Sequence, residues 1–296
     1  MKCSLCPRRC NSERTDFLNH GGYCKAPLLP KIARAALHYW EEPCISSKNG
    51  SGTVFFSGCS LSCVYCQNAE ISRNLKGDTV TFDRLAEIFR ELELSGAENI
   101  NLVTPTHYVT AIKKALEIYR PNIPIVYNSS GYDSIDSLRL LSDYIDIYLL
   151  DFKYFSSERA KKYSFAENYP EIAKSVLNYA YSLRDKCVLD GEKLKSGVIV
   201  RHLLLPQGTN DAIKIFDYVK ENTPNVIFSI MSQYMPCGNL KEYPEINRKI
   251  TAREYDKVLS HIIESGFENC YIQERNSSSE AFVPSFDLTG VKKSQP

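Results

Sequence analysis

Short apolar runs alternate with stretches of helical periodicity along most of the chain. The runs cover Thr53–Ser57, Ile100–Thr104, Ile125–Asn128, Ile147–Asp151, Val198–Leu205 and Val226–Ser232. Parallel strands are buried on both faces of their sheet, so their sequences are continuously hydrophobic and not alternately polar. The pattern therefore predicts six parallel β-strands at these positions.

The segments between these runs repeat apolar residues every three or four positions. They include the stripes Phe82/Leu85/Phe89/Leu92, Val109/Ile112/Leu116/Tyr119, Ile215/Phe216/Val219 and Tyr255/Val258/Leu259/Ile262. Residues at this spacing lie on one face of a helix, where they pack against the core. Thr251 and Glu254 have the spacing of a capping box, which predicts where the last of these helices begins.

Repeated strand-then-helix units predict an α/β fold around a parallel sheet. The 296 residues of the chain fit one large barrel-type domain or two smaller domains. The hydrophobic pattern alone does not distinguish a partial barrel from an open, doubly wound sheet. In both architectures the active site lies at the carboxyl ends of the strands, so residues that follow each strand are candidate site residues.

Composition divides the chain into three parts. Residues 1–52 are rich in cysteine, residues 53–273 carry the repeated units, and residues 274–296 are rich in serine and lack periodicity. We therefore expect a short cysteine-rich N-terminal segment, a core domain and a C-terminal extension.

Charge and the absence of export signals limit the expected partners and compartment. Lys and Arg number 36 and Asp and Glu number 35, so the net charge of +1 lacks the basic excess of nucleic-acid-binding proteins. No apolar run approaches the roughly 20 residues of a membrane helix, and no signal peptide is visible. We expect a cytoplasmic protein whose eleven cysteines are metal ligands or reduced thiols. Neither a membrane nor nucleic acid is an expected partner.

Three cysteines directly follow the first predicted strand. Cys59, Cys63 and Cys66 have the spacing C-x3-C-x2-C. Three thiolates on one tight loop can bind three irons of a cubic 4Fe-4S cluster and leave the fourth iron without a protein ligand. An open metal position is where a substrate or cosubstrate binds. The alternatives are three buried structural cysteines or three ligands of a zinc ion.

This triplet, with the aromatic Tyr65 before its last cysteine, resembles the signature of the radical S-adenosylmethionine (SAM) enzymes. The resemblance implies a partial (β/α)6 TIM-like barrel and a 4Fe-4S cluster whose open iron chelates SAM. Further stretches resemble the pyruvate formate-lyase activating enzyme-like subfamily. They are Cys3–Arg8, Trp40–Ser46, Ser51–Cys59, Asn99–Tyr108 and Asp151–Tyr154.

The resemblance also implies roles for residues that follow the later strands. Asp151 and Lys153 match an Asp-x-Lys element that contacts SAM, with Lys153 paired to the SAM carboxylate. A solvated surface ion pair is the simpler alternative. Arg201 corresponds to a SAM or substrate contact. His202 points to the opposite face of its strand and is expected to pack in the core.

Other positions depart from the subfamily pattern. The Gly-Gly-Glu element that binds the SAM amino group is missing, and Asn101, Thr104 and Thr106 are the candidate replacements. An ordinary turn is the alternative for the two threonines. Asn128 and Ser129 occupy the first positions of a changed Asp-Thr-Asn-Gly element.

A second set of cysteines precedes the core. Cys3, Cys6, Cys10 and Cys24 suit a closed structural zinc site or an auxiliary iron–sulfur cluster, and plain thiols remain an alternative. Ligand spacing alone does not choose the metal. Of the scattered cysteines, Cys237 is the one that could approach the active site, and the others are expected to be small buried side chains.

The resemblance implies a reaction but leaves the substrate open. A donor such as flavodoxin or ferredoxin reduces the cluster, and SAM is cleaved to methionine and a 5′-deoxyadenosyl radical that abstracts hydrogen from the substrate. The leading hypothesis is activation of a glycyl-radical partner protein of the pyruvate formate-lyase type. The alternatives are modification of a small molecule, peptide or RNA, and a non-catalytic iron–sulfur or zinc binding module.

Overall fold

The computed structural model describes residues 2–273 and 284–292. The strands are β1 (Glu13–Arg14), β2 (Asn19–His20), β3 (Lys31–His38), β4 (Ser51–Phe56), β5 (Asp78–Thr79), β6 (Ile100–Val103), β7 (Ile125–Ser129), β8 (Ile147–Asp151), β9 (Val188–Asp190), β10 (Lys193–Leu203), β11 (Ile227–Met231) and β12 (Cys270–Ile272). The α-helices are α1 (Ala69–Ser72), α2 (Phe82–Leu94), α3 (Val109–Ile118), α4 (Ile135–Arg139), α5 (Ser157–Ser164), α6 (Tyr169–Leu183), α7 (Thr209–Asn222) and α8 (Ala252–Glu264). A 3₁₀ turn covers Pro244–Ile246.

The six predicted strands lie side by side in one main sheet. Its order is β12-β11-β10-β8-β7-β6-β4-β3-β5, and β9 pairs with β10 outside this path. Neighbouring strands from β4 to β12 along this order are parallel. The prediction of an α/β fold around a parallel sheet is therefore confirmed, and the arrangement is that of a partial TIM-like barrel.

Two antiparallel strands extend the sheet beyond the predicted units. Strand β3 is antiparallel to β4, and β5 is antiparallel to β3. Strand β3 lies within residues 1–52, so the cysteine-rich segment also supplies part of the sheet. The hydrophobic pattern missed β3 because only some of its residues are buried.

The predicted helices bury their apolar stripes on the outer face of the sheet. Leu85, Phe89, Ile112 and Phe216 are fully buried, and burial of such a side chain stabilises a fold by about 1.5–3 kcal/mol. Helix α8 begins with the predicted capping box, because the Thr251 side chain accepts from the Glu254 amide and the Glu254 side chain accepts in return. No helix in the described part of the chain combines the length and apolarity that would let it traverse a bilayer.

The connection from β3 to β4 covers the inner face of the sheet at its amino end. His38 pairs with Ser51 at the start of β4, so the connection leaves and rejoins the sheet at the end of β4 opposite the cysteine loop. The connection is held there by hydrogen bonds from the Leu194 amide to the Cys44 carbonyl, at 2.8 Å, and from the Asn99 side chain to the Ile45 carbonyl, at 2.6 Å. Cys44 and Ile45 also pack against inner-face apolar residues of four neighbouring strands, Val126, Ile147, Leu149, Leu194, Ile199 and Ile227. This end of the partial barrel is therefore filled with side chains.

Part of the expected C-terminal extension packs beside β3. The Ala35 amide donates to the Thr289 carbonyl at 2.8 Å, and the Leu288 amide donates to the Ala33 carbonyl at 3.1 Å. Phe286 is buried and lies edge-to-face against Phe55, with ring centroids 5.5 Å apart. Residues 274–283 and 293–296 of the extension lie outside the described residues.

Candidate active site

A pocket lined by both charged and apolar side chains opens at the carboxyl ends of the parallel strands. Its cavity has a volume of about 250 Å³. The walls come from the cysteine loop, from strand ends and from the β3–β4 connection, and they include Cys63, Tyr65, Cys66, Val103, Asn128, Asp151, Lys153, Arg201, Leu203, Met231, His38, Trp40 and Glu41. The structure therefore brings Asn128, Asp151, Lys153 and Arg201 together beside two of the three cysteines.

Arg201 is the centre of a hydrogen-bonded network in this pocket. Its Nε donates to Asp151 Oδ1 at 3.0 Å, its Nη1 donates to Glu41 Oε2 at 2.9 Å, and its Nη2 donates to Asn128 Oδ1 at 2.9 Å. Asn128 Nδ2 in turn donates to Glu41 Oε1 at 3.2 Å. Lys153 Nζ donates to the other carboxylate oxygen of Asp151 at 2.7 Å. Each side chain of the network therefore makes at least one hydrogen bond with a charged partner.

Asp151 and Lys153 are ionised at neutral pH. Burial alone would raise the pKa of Asp151, but the charges of Lys153 and Arg201 outweigh it and hold that pKa below its ordinary value. Burial would lower the pKa of Lys153, and Asp151 instead keeps it above its ordinary value. The ion pair is partly buried, with 20% of the Lys153 side chain and 18% of the Asp151 side chain exposed. It differs in this respect from the solvated surface pair considered as the alternative.

The three cysteines of the loop are free thiols. Cys63 Sγ accepts a hydrogen bond from Ser164 Oγ at 2.9 Å, and Cys59 Sγ accepts one from the Leu61 amide at 3.3 Å. Hydrogen bonds to sulfur are among the groups that tune iron–sulfur clusters. The free thiols and these donors fit a 4Fe-4S cluster.

Within residues 2–273 and 284–292, no three His, Cys, Asp or Glu side chains are grouped so that they could hold a single metal ion. A cubic cluster does not require such a group, because each thiolate binds a different iron.

Tyr65 reaches the pocket from within the cysteine loop. Its hydroxyl lies 2.6 Å from the Tyr154 hydroxyl, which lies 2.7 Å from Ser164 Oγ. Since Ser164 also contacts Cys63, these hydroxyls connect the loop to helix α5. Burial raises the pKa of Tyr65 well above its ordinary value, so the phenol stays protonated.

Four of the predicted cofactor contacts do not line the pocket: Asn101, Thr104, Thr106 and Ser129. Thr106 and Ser129 are buried, and both donate to the Asp133 carboxylate at 2.6 Å. Asn101 is fully buried on β6, and its side-chain amide has no hydrogen-bond partner among the described residues. These four side chains therefore do not join Asp151, Lys153 and Arg201 in the wall of this pocket.

Thr104 directly follows β6 and has an unusual backbone conformation. Its φ is +60°, in the left-handed region that β-branched residues rarely adopt. The Thr104 amide donates to the Asn128 carbonyl at 2.8 Å. The turn after β6 is thus strained, and it is held beside β7.

Glu41 is a site residue that the sequence analysis did not assign. It comes from the β3–β4 connection and not from a strand end, and it contacts both Arg201 and Asn128. The sequence signal that could have indicated Glu41 is its position, next to Glu42, inside the stretch Trp40–Ser46 that resembles the subfamily. Strand-end reasoning could not find it.

The four N-terminal cysteines lie near one another, although among the described residues no three of them are arranged to hold a single metal ion. Burial raises the pKa of Cys6 to about 12, and the nearby thiols of Cys24, Cys3 and Cys10 raise it further. Cys3 Sγ lies 3.6 Å from Arg14 Nη1, and Cys24 Sγ lies 3.9 Å from Asn19 Nδ2. In this structure the sulfurs contact polar neighbours, although they lie close enough to interact with one another.

Two further sequence predictions concern His202 and Cys237. His202 is buried on the outer face of β10, with Nδ1 2.7 Å from the Phe152 carbonyl oxygen, as expected of a packing residue. Cys237 lies beside the cysteine loop, where its thiol donates to the Tyr65 carbonyl at 2.9 Å.

The fold and the pocket define a barrel-type α/β enzyme with a polar site beside a three-cysteine loop. Residues 53–191 match the model of the radical SAM superfamily. The uncharacterized protein MJ0674 of Methanocaldococcus jannaschii is 32% identical over 267 residues, which cover 87% of this chain and 73% of that protein. The chain belongs to the radical SAM superfamily. It is a radical SAM enzyme, and its cofactors are a 4Fe-4S cluster and SAM.

Solved structures of SuiB from Streptococcus suis share the fold. SuiB bound to SAM aligns with a TM-score of 0.52 and 16% identity, over 75% of this chain and 52% of SuiB. SuiB bound to the precursor peptide SuiA aligns with a TM-score of 0.51 and 16% identity, over 73% of this chain and 46% of SuiB. This chain therefore spans about half the length of SuiB, and the likeness is one of fold.

Proposed function

We propose that Cys59, Cys63 and Cys66 hold the 4Fe-4S cluster and that SAM binds next to it in the strand-end pocket. The observation that carries this proposal is the single pocket shared by the cysteine loop and the Lys153–Asp151–Arg201 network. When bound, the cluster and SAM supply a one-electron cleavage that yields methionine and a 5′-deoxyadenosyl radical for hydrogen abstraction.

The chain's own residues bind and orient SAM. The Lys153 ammonium supplies a cation for the SAM carboxylate, and Asp151, held ionised by its two cationic neighbours, accepts from SAM hydroxyl or amino groups. Hydrogen bonds to Glu41 and Asn128 hold the Arg201 guanidinium in one position when the ligand binds. Val103, Leu203 and Met231 form an apolar wall of the pocket, and this wall excludes water from the reacting atoms.

The electron that starts the reaction comes from an external donor. Radical SAM enzymes use such donors, and we assign this role to flavodoxin or ferredoxin because both carry low-potential electrons as small proteins. Since the proposed SAM pocket lies beside the cysteine loop, the donor protein needs to contact only the face of the molecule that carries this loop.

The substrate is a partner protein or peptide in this proposal. Resemblance to glycyl-radical activating enzymes, carried by Asp151–Tyr154 and the cysteine loop, supports activation of a glycyl-radical enzyme. Peptide modification is the second candidate, because SuiB, which shares the fold, has been crystallised with a precursor peptide. Both reactions begin with hydrogen abstraction from a polypeptide, so one assay compares them.

The test is anaerobic reconstitution followed by reduction and measurement of 5′-deoxyadenosine formed from SAM. We expect product from the wild-type protein and none from Cys63→Ala, with Cys187→Ala as a control because Cys187 lies away from the pocket. A reduced, cluster-loaded protein that forms no 5′-deoxyadenosine would contradict the proposal. Deuterium transfer from a labelled glycyl-radical enzyme, but not from labelled peptides, would decide between the two substrates.

We propose that Cys3, Cys6, Cys10 and Cys24 bind one zinc ion. Their grouping in a short segment supports a closed thiolate site, although the sulfurs need to turn from Arg14 and Asn19 to form it. Metal analysis of a Cys59→Ala/Cys63→Ala/Cys66→Ala variant tests this. One zinc per chain is expected, whereas additional iron and labile sulfide would establish an auxiliary cluster and overturn the zinc assignment.

A further inference from the structure

Arg8 extends from the four-cysteine segment to the loop of the three cluster cysteines. It lies between Cys6 and Cys10 in the sequence. Its Nε donates to the Ser60 carbonyl at 2.9 Å, its Nη1 donates to the Phe165 carbonyl at 2.6 Å, and its Nη2 lies 3.3 Å from the Ser164 carbonyl. One planar guanidinium therefore bonds to two separate stretches of backbone, the cluster loop at Ser60 and the end of α5 at Ser164 and Phe165.

Two aromatic rings hold the guanidinium in this position. Arg8 Cζ lies 3.9 Å from the ring centroid of Tyr23 and 5.3 Å from that of Tyr132. Cation–π contacts of this kind contribute about 0.5–2 kcal/mol each. Tyr23 directly precedes Cys24, so one of the two rings belongs to the four-cysteine segment itself.

The acceptors of Arg8 lie next to two of the cluster cysteines. Ser60 directly follows Cys59, and the Ser164 hydroxyl donates to Cys63 Sγ at 2.9 Å. A movement of Arg8 would therefore change both the path of the cysteine loop and a hydrogen bond to a ligand sulfur. Hydrogen bonds to sulfur and solvent exposure set the reduction potential of iron–sulfur clusters.

A second contact joins the same two parts of the chain. Gly58, the residue before Cys59, has a φ of +93°, and a Cβ atom there would lie 2.9 Å from the Cys24 carbonyl oxygen. His107 Nε2 lies 2.8 Å from the Ser57 carbonyl, and the His107 carbonyl accepts from Arg14 at 2.9 Å. The four-cysteine segment thus packs directly on the entry to the cluster loop.

We propose that Arg8 is a positioning residue that couples the four-cysteine segment to the cluster loop. The conformation of the Cys6–Cys10 turn determines where the guanidinium lies. The guanidinium in turn holds the backbone of Ser60 and Ser164 beside the cluster. This inference rests on the proposed binding of the cluster by Cys59, Cys63 and Cys66. Removal of such outer partners typically weakens metal binding by about 10- to 100-fold.

The test compares Arg8→Gln with Arg9→Gln in the reconstituted holoenzyme. Arg9 is the adjacent residue of the same type and is exposed, so it controls for the loss of charge. We expect Arg8→Gln to lose iron to bathophenanthroline disulfonate about 10- to 100-fold more readily, with a changed electron paramagnetic resonance spectrum and midpoint potential of the reduced cluster. Arg9→Gln should match the wild type.

Arg8→Lys provides a second variant that preserves the positive charge but not the planar set of donors. A single ammonium cannot reach all three carbonyls, so an intermediate effect is expected. It also replaces Arg8→Gln if that variant fails to fold, as judged by circular dichroism. Wild-type iron retention, spectrum and potential in both variants would overturn the inference. Absence of a cluster from the wild-type protein would instead contradict the proposed function.

A double-mutant comparison tests the coupling itself. Cys6→Ser/Cys10→Ser should produce the same spectral and potential change as Arg8→Gln, and combining all three substitutions should add little. Fully additive effects would mean that Arg8 acts independently of the cysteine turn, and would overturn the coupling.

Discussion

Arg201 organises the pocket because its guanidinium presents separate donors to three acceptors. Asp151, Glu41 and Asn128 each take one of them, which leaves the Asp151 carboxylate its second oxygen for Lys153. Asp151, Lys153 and Arg201 could be predicted from the sequence because each belongs to, or directly follows, a strand of recognisable pattern. Glu41 could not be found from the strand ends, since only tertiary packing of the β3–β4 connection brings it to the same place.

Replacing Lys153 by Met should weaken SAM binding and leave the cluster in place. The variant retains the length of the side chain but removes the cation and leaves Asp151 with Arg201 as its remaining charged partner. Truncating one member of a desolvated pair costs about 2–5 kcal/mol, so we expect SAM affinity to fall by at least tenfold. Equilibrium binding of SAM to the reconstituted protein measures this. Lys161→Met, on the exposed face of α5, is the control, and equal affinities in both variants would exclude the assigned role.

Glu41→Gln should lower the stability of the protein as well as its affinity for SAM. The amide retains the shape of the carboxylate but removes the charge that faces Arg201 Nη1. Hydrogen bonds to charged groups contribute about 1.5–3 kcal/mol, so the free energy of unfolding should fall by about that amount. Urea denaturation checks the prediction, with Glu117→Gln on the exposed surface of α3 as the control. A stability equal to that of the control would show that the contact contributes nothing.

At the scale of elements, the strands were predictable and the connections were not. Buried parallel strands carry continuous apolar runs, so β4, β6, β7, β8, β10 and β11 could be located from the sequence. Strand β12 has three residues and β3 is only partly buried, so neither carries that signal. The same limit applies to Thr106 and Ser129, whose hydroxyls turn toward Asp133 in a loop that no periodicity describes.

Gly131 should tolerate alanine less well than Gly191 does. Both glycines have positive φ angles, +72° and +59°, but a Cβ at Gly131 would lie 2.4 Å from the Asp151 carbonyl oxygen, whereas nothing lies within 4 Å at Gly191. Gly191→Ala should therefore cost only the backbone strain of about 1–2 kcal/mol. Gly131→Ala should cost more and should also reduce SAM cleavage, because it displaces the end of β8. Urea denaturation and product assays of both variants test this, and equal effects would contradict it.

Glu98 should make the attachment of the β3–β4 connection dependent on pH. Although burial opposes ionisation, hydrogen bonds from Ser47, Lys193 and Asn49 lower the pKa of Glu98 to about 2. A folded-state pKa below the unfolded one stabilises the protein above the unfolded value of about 4.3, and this contribution disappears as the pH falls toward 2.

The pH dependence is measured by comparing wild type with Glu98→Gln in urea at several pH values. The difference in free energy of unfolding should be constant above about pH 5 and should shrink as the pH is lowered to 3. A difference that stays constant over this range would contradict the assignment.

At the scale of the whole molecule, the two ends of the partial barrel have different contents. The amino end is filled by Cys44 and Ile45 of the β3–β4 connection, and the carboxyl end holds the charged pocket and the cysteine loop. Because the four-cysteine segment packs on Gly58 and Ser60, a part of the chain outside the superfamily match contacts the loop that we propose holds the cluster. The sequence predicted both cysteine sets, but their contact through Arg8 depends on the fold.

The most direct measurement of the central claim is the electron paramagnetic resonance spectrum of the reduced, reconstituted protein with and without SAM. If Cys59, Cys63 and Cys66 leave one iron open beside Lys153 and Asp151, SAM should change the spectrum of a 4Fe-4S cluster. A cluster whose spectrum is identical in the presence of saturating SAM would contradict the account, because the pocket would then not deliver SAM to the open iron.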